Sequence, residues 1–180
     1  MLFKSNILIL PGLGNSGEGH WQSIWQERFG FERIEQSSWD APVASDWIAA
    51  IDEEVIKQPS LSEIILIGHS LACTAIAQWA ATYDRKIKAA LLVAPSDTEA
   101  ESYPEGTVGF KPMCLQKIAF PTTVIASSND FYVTPQRAAF FAYSWGSKLV
   151  DIGEAGHINV SSGFGEWNEG LRFLEELDQL

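Results

Sequence analysis

The sequence predicts a compact three-layer α/β fold, with a mostly parallel sheet of about six strands, helices on both faces and no large cap domain. Three observations lead there. Short β-branched or aliphatic runs alternate with longer amphipathic stretches, which is the pattern of βα units. The 180 residues, 46% hydrophobic and 19% charged, suit one globular domain spanning 1–180 with a sizeable core, and neither a disordered chain nor a large multidomain one. No apolar stretch approaches the ~20 residues of a membrane span, and none repeats at solenoid period.

Taken in order, the run Ile7-Leu8-Ile9-Leu10 is too short for a signal-peptide core and ends in the Pro11-Gly12 turn. Asn6 to Leu10 is therefore expected as a first buried strand. A helix over Gly19 to Phe29 follows, then a strand over Arg33 to Ser37 and a helix over Ala44 to Gln58 whose Asp46, Glu53 and Glu54 mark a wet face. Glu63 to Ile67 and Ala89 to Val93 read as strands on either side of an Ala-rich helix over Leu71 to Tyr83. The stretch Ser96 to Lys117 carries Pro104, Gly106, Gly109 and Pro112 without clean periodicity, so it is expected as an irregular excursion over the strand ends. Strand Thr122 to Ala126, helix Pro135 to Trp145, strand Lys148 to Ile152 and helix Phe164 to Gln179 complete the chain. The central three strands read as buried on both faces.

Twelve Lys+Arg against 23 Asp+Glu give a net charge of −11, a field that repels phosphate backbones and anionic membrane faces. Neither nucleic acid nor a membrane is expected as a partner. Cys73 and Cys114 have no metal-ligand spacing and no disulfide framework. They read as small buried hydrophobes in a reducing, cytoplasmic setting.

The sharpest local feature is Ile64-Ile65-Leu66-Ile67-Gly68-His69-Ser70-Leu71-Ala72, a strand entering a small-x-Ser-x-small turn and then a helix. A nucleophile elbow needs this context, because the turn lifts the serine out and any Cβ bulk beside it collides with the adjoining strand or helix. Gly68 and Ala72 satisfy the requirement, Ala72 with one methyl more than the commoner glycine. A serine hydroxyl is a weak nucleophile at neutral pH and needs a base and a group to orient that base. Of three histidines, His69 lies inside the elbow where its side chain should point away, and His20 stands at a helix start. His157, in Gly156-His157-Ile158-Asn159 after the last strand, can reach back to Ser70. Asp130 ends the strand segment Val124 to Asp130 and completes the chain order Ser, Asp, His; Asp97, after Val93-Ala94-Pro95-Ser96, is the rival acid.

An acyl-transfer oxyanion needs two backbone donors. The N–H of Leu71 at the helix start is one, and the N–H of Leu13 in the glycine-rich loop Pro11-Gly12-Leu13-Gly14-Asn15-Ser16-Gly17 is the other. As a phosphate cradle that loop lacks the Gly-Lys-Ser/Thr of a P-loop and a confirming acidic ribose ligand.

Leu10-Pro11-Gly12 with His20-Trp21, then Gly68-His69-Ser70-Leu71, then Gly156-His157-Ile158-Asn159 with Gly163-Phe164-Gly165-Glu166-Trp167, resemble the small serine-hydrolase family of the α/β-hydrolase superfamily, the group that includes retinoblastoma-binding protein nine. Ser128-Asn129-Asp130 fits that family's acid strand. The likeness covers nearly the whole chain. It implies a minimal α/β-hydrolase-like core without the first antiparallel strands, and a Ser70, Asp130, His157 triad.

Trp25, Trp47 and Trp79 read as packing, whereas Trp39, Phe131 and Tyr132 follow strand ends and are expected as substrate-binding pocket walls. The expected function is hydrolysis of short-chain carboxylic esters or related small-molecule acyl substrates, with no metal and no organic cofactor; no protein partner is indicated. A binding module on a hydrolase fold, without appreciable turnover, is the alternative. With only the Ser96 to Lys117 excursion as cover, the pocket is expected to be short.

Overall fold

The computed structural model describes residues 3–180. Six parallel strands, β1 (Asn6–Leu10), β2 (Glu32–Arg33), β3 (Ile64–His69), β4 (Ala89–Val93), β5 (Thr122–Ala126) and β6 (Lys148–Asp151), pair in the order β2-β1-β3-β4-β5-β6. The helices are α1 (Trp21–Phe29), α2 (Ala44–Lys57), α3 (Leu71–Tyr83), α4 (Pro135–Trp145) and α5 (Asn168–Asp178). Among the described residues, no helix is long and apolar enough to cross a membrane.

Strand alternation builds the three layers. Ile7, Ile9, Ile65, Ile67, Leu91, Val93 and Ile125 point to one face, where they pack with Trp21 and Trp25 of α1 and Leu171, Leu174 and Leu177 of α5. Leu8, Leu10, Leu66, Ala90, Leu92 and Val124 point to the other face, toward Trp47 and Ile51 of α2, Ile76 and Trp79 of α3, and Phe141 and Trp145 of α4. Both faces are covered, so β3, β4 and β5 are buried along their whole length. Across the helical layer, Asp52 of α2 accepts from Trp79 Nε1 at 3.1 Å and pairs with Arg85 after α3.

Several boundaries differ from the sequence reading, each for a local reason. The expected strand Arg33 to Ser37 is only Glu32–Arg33, because its ladder on β1 ends with Ile9 opposite Arg33 before β1 runs into Pro11 and Gly12. The first helix begins at Trp21 instead of Gly19, since His20 is its cap and accepts the Gln22 N–H on Nδ1 at 3.2 Å. The last begins at Asn168 instead of Phe164, because Trp167 takes a left-handed φ of 39° that turns its indole against Trp25. Gly170 makes room for that ring: a Cβ there would lie 2.4 Å from it. Strand β3 runs two residues further than Ile67, and β6 stops at Asp151. Cys73 is buried as expected, while Cys114 is only half-buried.

The excursion Ser96 to Lys117 has no helix or strand of its own. It is tied down by a bridge between Val108 and Val43, by the buried Phe110 against Trp47, and by Thr98 Oγ1 donating to Phe110 O at 2.8 Å.

Candidate active site

The carboxyl ends of β1, β3, β4, β5 and β6 open onto one edge of the sheet, and the strand order switches sides between β1 and β3, the usual place for a crevice in open α/β sheets. Strand β3 delivers Ser70 into a turn with φ 59° and ψ −124°, a conformation that costs a non-glycine residue about 1–3 kcal/mol. Packing holds it there. Ser70 N–H donates to Val93 O at 3.0 Å, and a Cβ on Gly68 would lie 2.7 Å from Ile76 Cδ1 and 3.2 Å from the Ala72 backbone.

The loops after β5 and β6 are stitched together. Ala155 N–H donates to Ser127 Oγ at 2.9 Å and Gly156 N–H to Asn129 Oδ1 at 2.6 Å. Gly156 has φ +55°, and a Cβ there would fall 2.3 Å from Ser162 Oγ, so the turn requires glycine. The next two carbonyls are held as well: His69 Nε2 donates to His157 O at 2.9 Å, and Trp21 Nε1 to Ile158 O at 2.9 Å.

This frame brings three of the sequence-derived residues into one hydrogen-bonded line. His157 Nε2 lies 2.9 Å from Ser70 Oγ, and His157 Nδ1 lies 2.8 and 3.0 Å from the two carboxylate oxygens of Asp130. A carboxylate only accepts, so Nδ1 carries the proton, Nε2 is the acceptor and the Ser70 hydroxyl donates to it. Asp130 is fully buried at its side chain, and its Oδ1 also accepts the Tyr132 N–H at 2.8 Å. Asp97 is engaged elsewhere: Arg137 clamps it through Nε at 2.6 Å and Nη2 at 2.9 Å.

Leu71 is the first residue of α3, where an N–H has no acceptor within the helix. Among the described residues, the Leu13 N–H donates to no protein acceptor, while its neighbour Gly14 N–H donates to Trp39 O at 2.9 Å. The two loops touch, since a Cβ on Gly12 would lie 2.8 Å from both His69 O and Ser70 Cβ.

The His69 ring packs in a group with His20, Trp21 and His157 and is on the wall of the cavity beside Ser70. Burial pushes the His20 imidazole down from the ordinary 6.5 to about 4, and burial followed by the neighbouring histidines pushes His69 well below that ordinary value.

A cavity of about 170 Å³ adjoins Ser70. Leu13, Ser96, Tyr103, Tyr132 and Asn159 are on its walls with His157. Of the three expected wall residues only Tyr132 is there. Trp39 packs edge-on against Trp47 in the core instead, and Phe131 is 75% exposed because the turn after Asp130 swings it outward. Tyr103 and Ser96, which the sequence reading passed over, come from the segment after β4. Within Val93 to Asp97 the sequence marks only the aspartate, and a hydroxyl that meets a partner 26 positions away leaves no local signal.

The chain matches the model of a family described as serine hydrolase over residues 7–176. A solved structure described as a YdeN-like hydrolase from Pectobacterium atrosepticum is 34% identical, covering 97% of this chain and 90% of that one, with a TM-score of 0.84. The ydeN gene product of B. subtilis, 17% identical over 98% and 100% of the two chains at a TM-score of 0.76, shares the fold. So does a monoacylglycerol lipase from Paleococcus ferrophilus, 13% identical over 96% and 94% at a TM-score of 0.70. No curated protein matches the sequence. The family match takes in every residue placed around Ser70, from Gly12 to Asn159, and the chain belongs to the serine hydrolase family, with the α/β-hydrolase fold.

Proposed function

We propose that the protein hydrolyses short-chain carboxylic esters or related acyl compounds through an acyl-enzyme on Ser70. The observation that carries this reading is the continuous line from Asp130 through His157 to Ser70, at 2.8 and 2.9 Å. Ser70 Oγ attacks the acyl carbon as its proton passes to His157 Nε2, and Asp130 holds the imidazole in the required tautomer and stabilises the imidazolium. The N–H groups of Leu13 and Leu71 receive the oxyanion. His157 then protonates the leaving group, and water repeats the sequence to release the acid.

A 170 Å³ cavity lies below the ~300–1,000 Å³ of sites for drug-sized ligands, which supports a small acyl group. Two free cysteines, Cys73 and Cys114, accord with work in a reducing cytoplasm. A fluorophosphonate probe tests the reading directly. Wild-type protein is expected to label and Ser70→Ala not to, with p-nitrophenyl acetate turnover falling at least ~10³-fold. Labelling that persists in Ser70→Ala, or wild-type protein that labels but turns over no ester, overturns it.

A further inference from the structure

Ser70 Oγ has a second close neighbour, the hydroxyl of Ser96 at 2.7 Å. The proton positions along this line leave one arrangement. Ser70 has a single hydroxyl hydrogen, which goes to His157 Nε2, so Ser96 must be the donor and Ser70 Oγ the acceptor. Among the described residues, the Ser96 hydroxyl has no other partner.

The mounting of Ser96 is elaborate for a loop serine. Two residues before it stands Ala94, a non-glycine residue at φ +49° whose N–H donates to Ile125 O at 2.8 Å. On its other side, Asp97 N–H donates to Tyr132 O at 2.9 Å while the Asp97 carboxylate is clamped by Arg137. Ser96 is fully buried against solvent yet stands on the cavity wall.

We propose that Ser96 is a further catalytic residue, whose hydroxyl donates to Ser70 Oγ and so selects the lone pair with which Ser70 attacks. The inference rests on the acyl-hydrolase reading. About a tetrahedral Oγ, one direction is the bond to Cβ, one is the proton toward His157, and one is the lone pair held by Ser96. A single lone pair is left for the acyl carbon. As the Oγ–carbon bond forms, the Ser70 proton moves to His157 Nε2 and the carbonyl electron pair moves onto oxygen. The oxyanion then collapses, the leaving group departs with its bonding pair, and it takes the proton from His157. In deacylation, water gives its proton to His157 while its oxygen bonds to the acyl carbon. The carbon–Oγ bond then breaks, the pair returns to Oγ, and His157 returns the proton. Ser96 keeps its own proton throughout. Its hydrogen bond strengthens whenever Oγ carries negative character, since charge-assisted bonds are about twice as strong as neutral ones.

The test compares wild-type protein with Ser96→Ala and Ser96→Cys, the second keeping volume but offering only a weak donor. Burst kinetics with p-nitrophenyl acetate and the second-order rate of fluorophosphonate labelling are measured on samples shown by circular dichroism to be folded. Both variants are expected to acylate and label about 10- to 100-fold more slowly, with KM within a few fold of wild type. A rate within twofold of wild type in either variant overturns the proposal. Wild-type speed in Ser96→Cys with a slow Ser96→Ala assigns the effect to packing and overturns it in the same way. If Ser96→Ala fails to fold, Ser96→Cys decides alone. Wild-type protein that does not label removes the hydrolase reading and this inference together, whereas wild-type labelling with fast Ser96 variants removes the inference only.

Discussion

Ser70, Ala94 and Ile158 all take positive φ, at 59°, 49° and 49°, although none is glycine; Ile158 follows His157, and Ala94 stands two residues before Ser96. Such backbone is costly and persists only where surrounding bonds over-determine it, as the Val93, Ile125 and Trp21 contacts do here. The two aspartates can be separated by a pair of measurements. Asp130→Asn is expected to lower turnover by ~10³–10⁴ through the wrong imidazole tautomer, with little change in melting temperature. Asp97→Asn is expected to lose about 1.5–3 kcal/mol with Arg137, seen as a melting temperature several degrees lower, and to keep far more turnover than Asp130→Asn. Glycine 12 gives a second contrast. Gly12→Ala forces a methyl against backbone 2.8 Å away and is expected to cost ~10²–10³ in kcat by moving the Leu13 donor, while Gly17→Ala, with open space around it, leaves kcat unchanged. Ser70, Asp130 and His157 could be picked from the sequence because each follows a strand that the hydropathy pattern marks. The directions of Trp39 and Phe131 could not, since the path of a loop after a strand end decides which way a side chain faces.

Helix α1 does more than cover the sheet. Its Trp21 and Trp25 donate indole N–H groups to Ile158 O and Glu166 O, so the helix grips the segment that carries His157. Trp21→Phe keeps a ring but frees the Ile158 carbonyl, and the expected result is a roughly tenfold lower kcat with KM unchanged in steady-state kinetics. Trp25→Phe, whose bond lies further along the chain, is expected to lower stability by about 1 kcal/mol in urea unfolding and to spare kcat. Helices α3 and α4 and strands β1, β4 and β5 have the ends that their apolar runs and flanking Gly, Pro and Ser residues predict. Strand β2 does not, because the length of a ladder depends on its partner: nothing within Arg33 to Ser37 records that β1 ends at Leu10.

Taken whole, the molecule holds His20 and His69 neutral in its interior. Between the ordinary imidazole value of 6.5 and the folded value of about 4 for His20, the unfolded chain binds a proton that the native state refuses. Stability therefore falls as pH drops through that window, with His20 alone contributing on the order of 3 kcal/mol across it. Urea midpoints are expected to be clearly lower at pH 4.5 than at pH 7, and His20→Asn, which retains a capping oxygen, should narrow the gap; equal midpoints at the two pH values would contradict the burial argument. Asp52, held below the usual carboxylate range chiefly by its bond to Arg85, adds its own loss only at still lower pH. The size of the cavity predicts a second whole-protein behaviour: kcat/KM for p-nitrophenyl esters rises over the first few acyl carbons and is lower for decanoyl than for hexanoyl, once the wall that rewards each methylene by ~0.8 kcal/mol runs out. The stacked pair Trp25 and Trp167, 5.7 Å apart and 8° from parallel, with Trp21 set edge-on to both, spans the joint between α1 and the segment beyond His157. Rings so close absorb as coupled chromophores, so the near-ultraviolet dichroism of this trio is a built-in optical gauge: its amplitude follows whether the histidine segment is docked, with no substrate or label added.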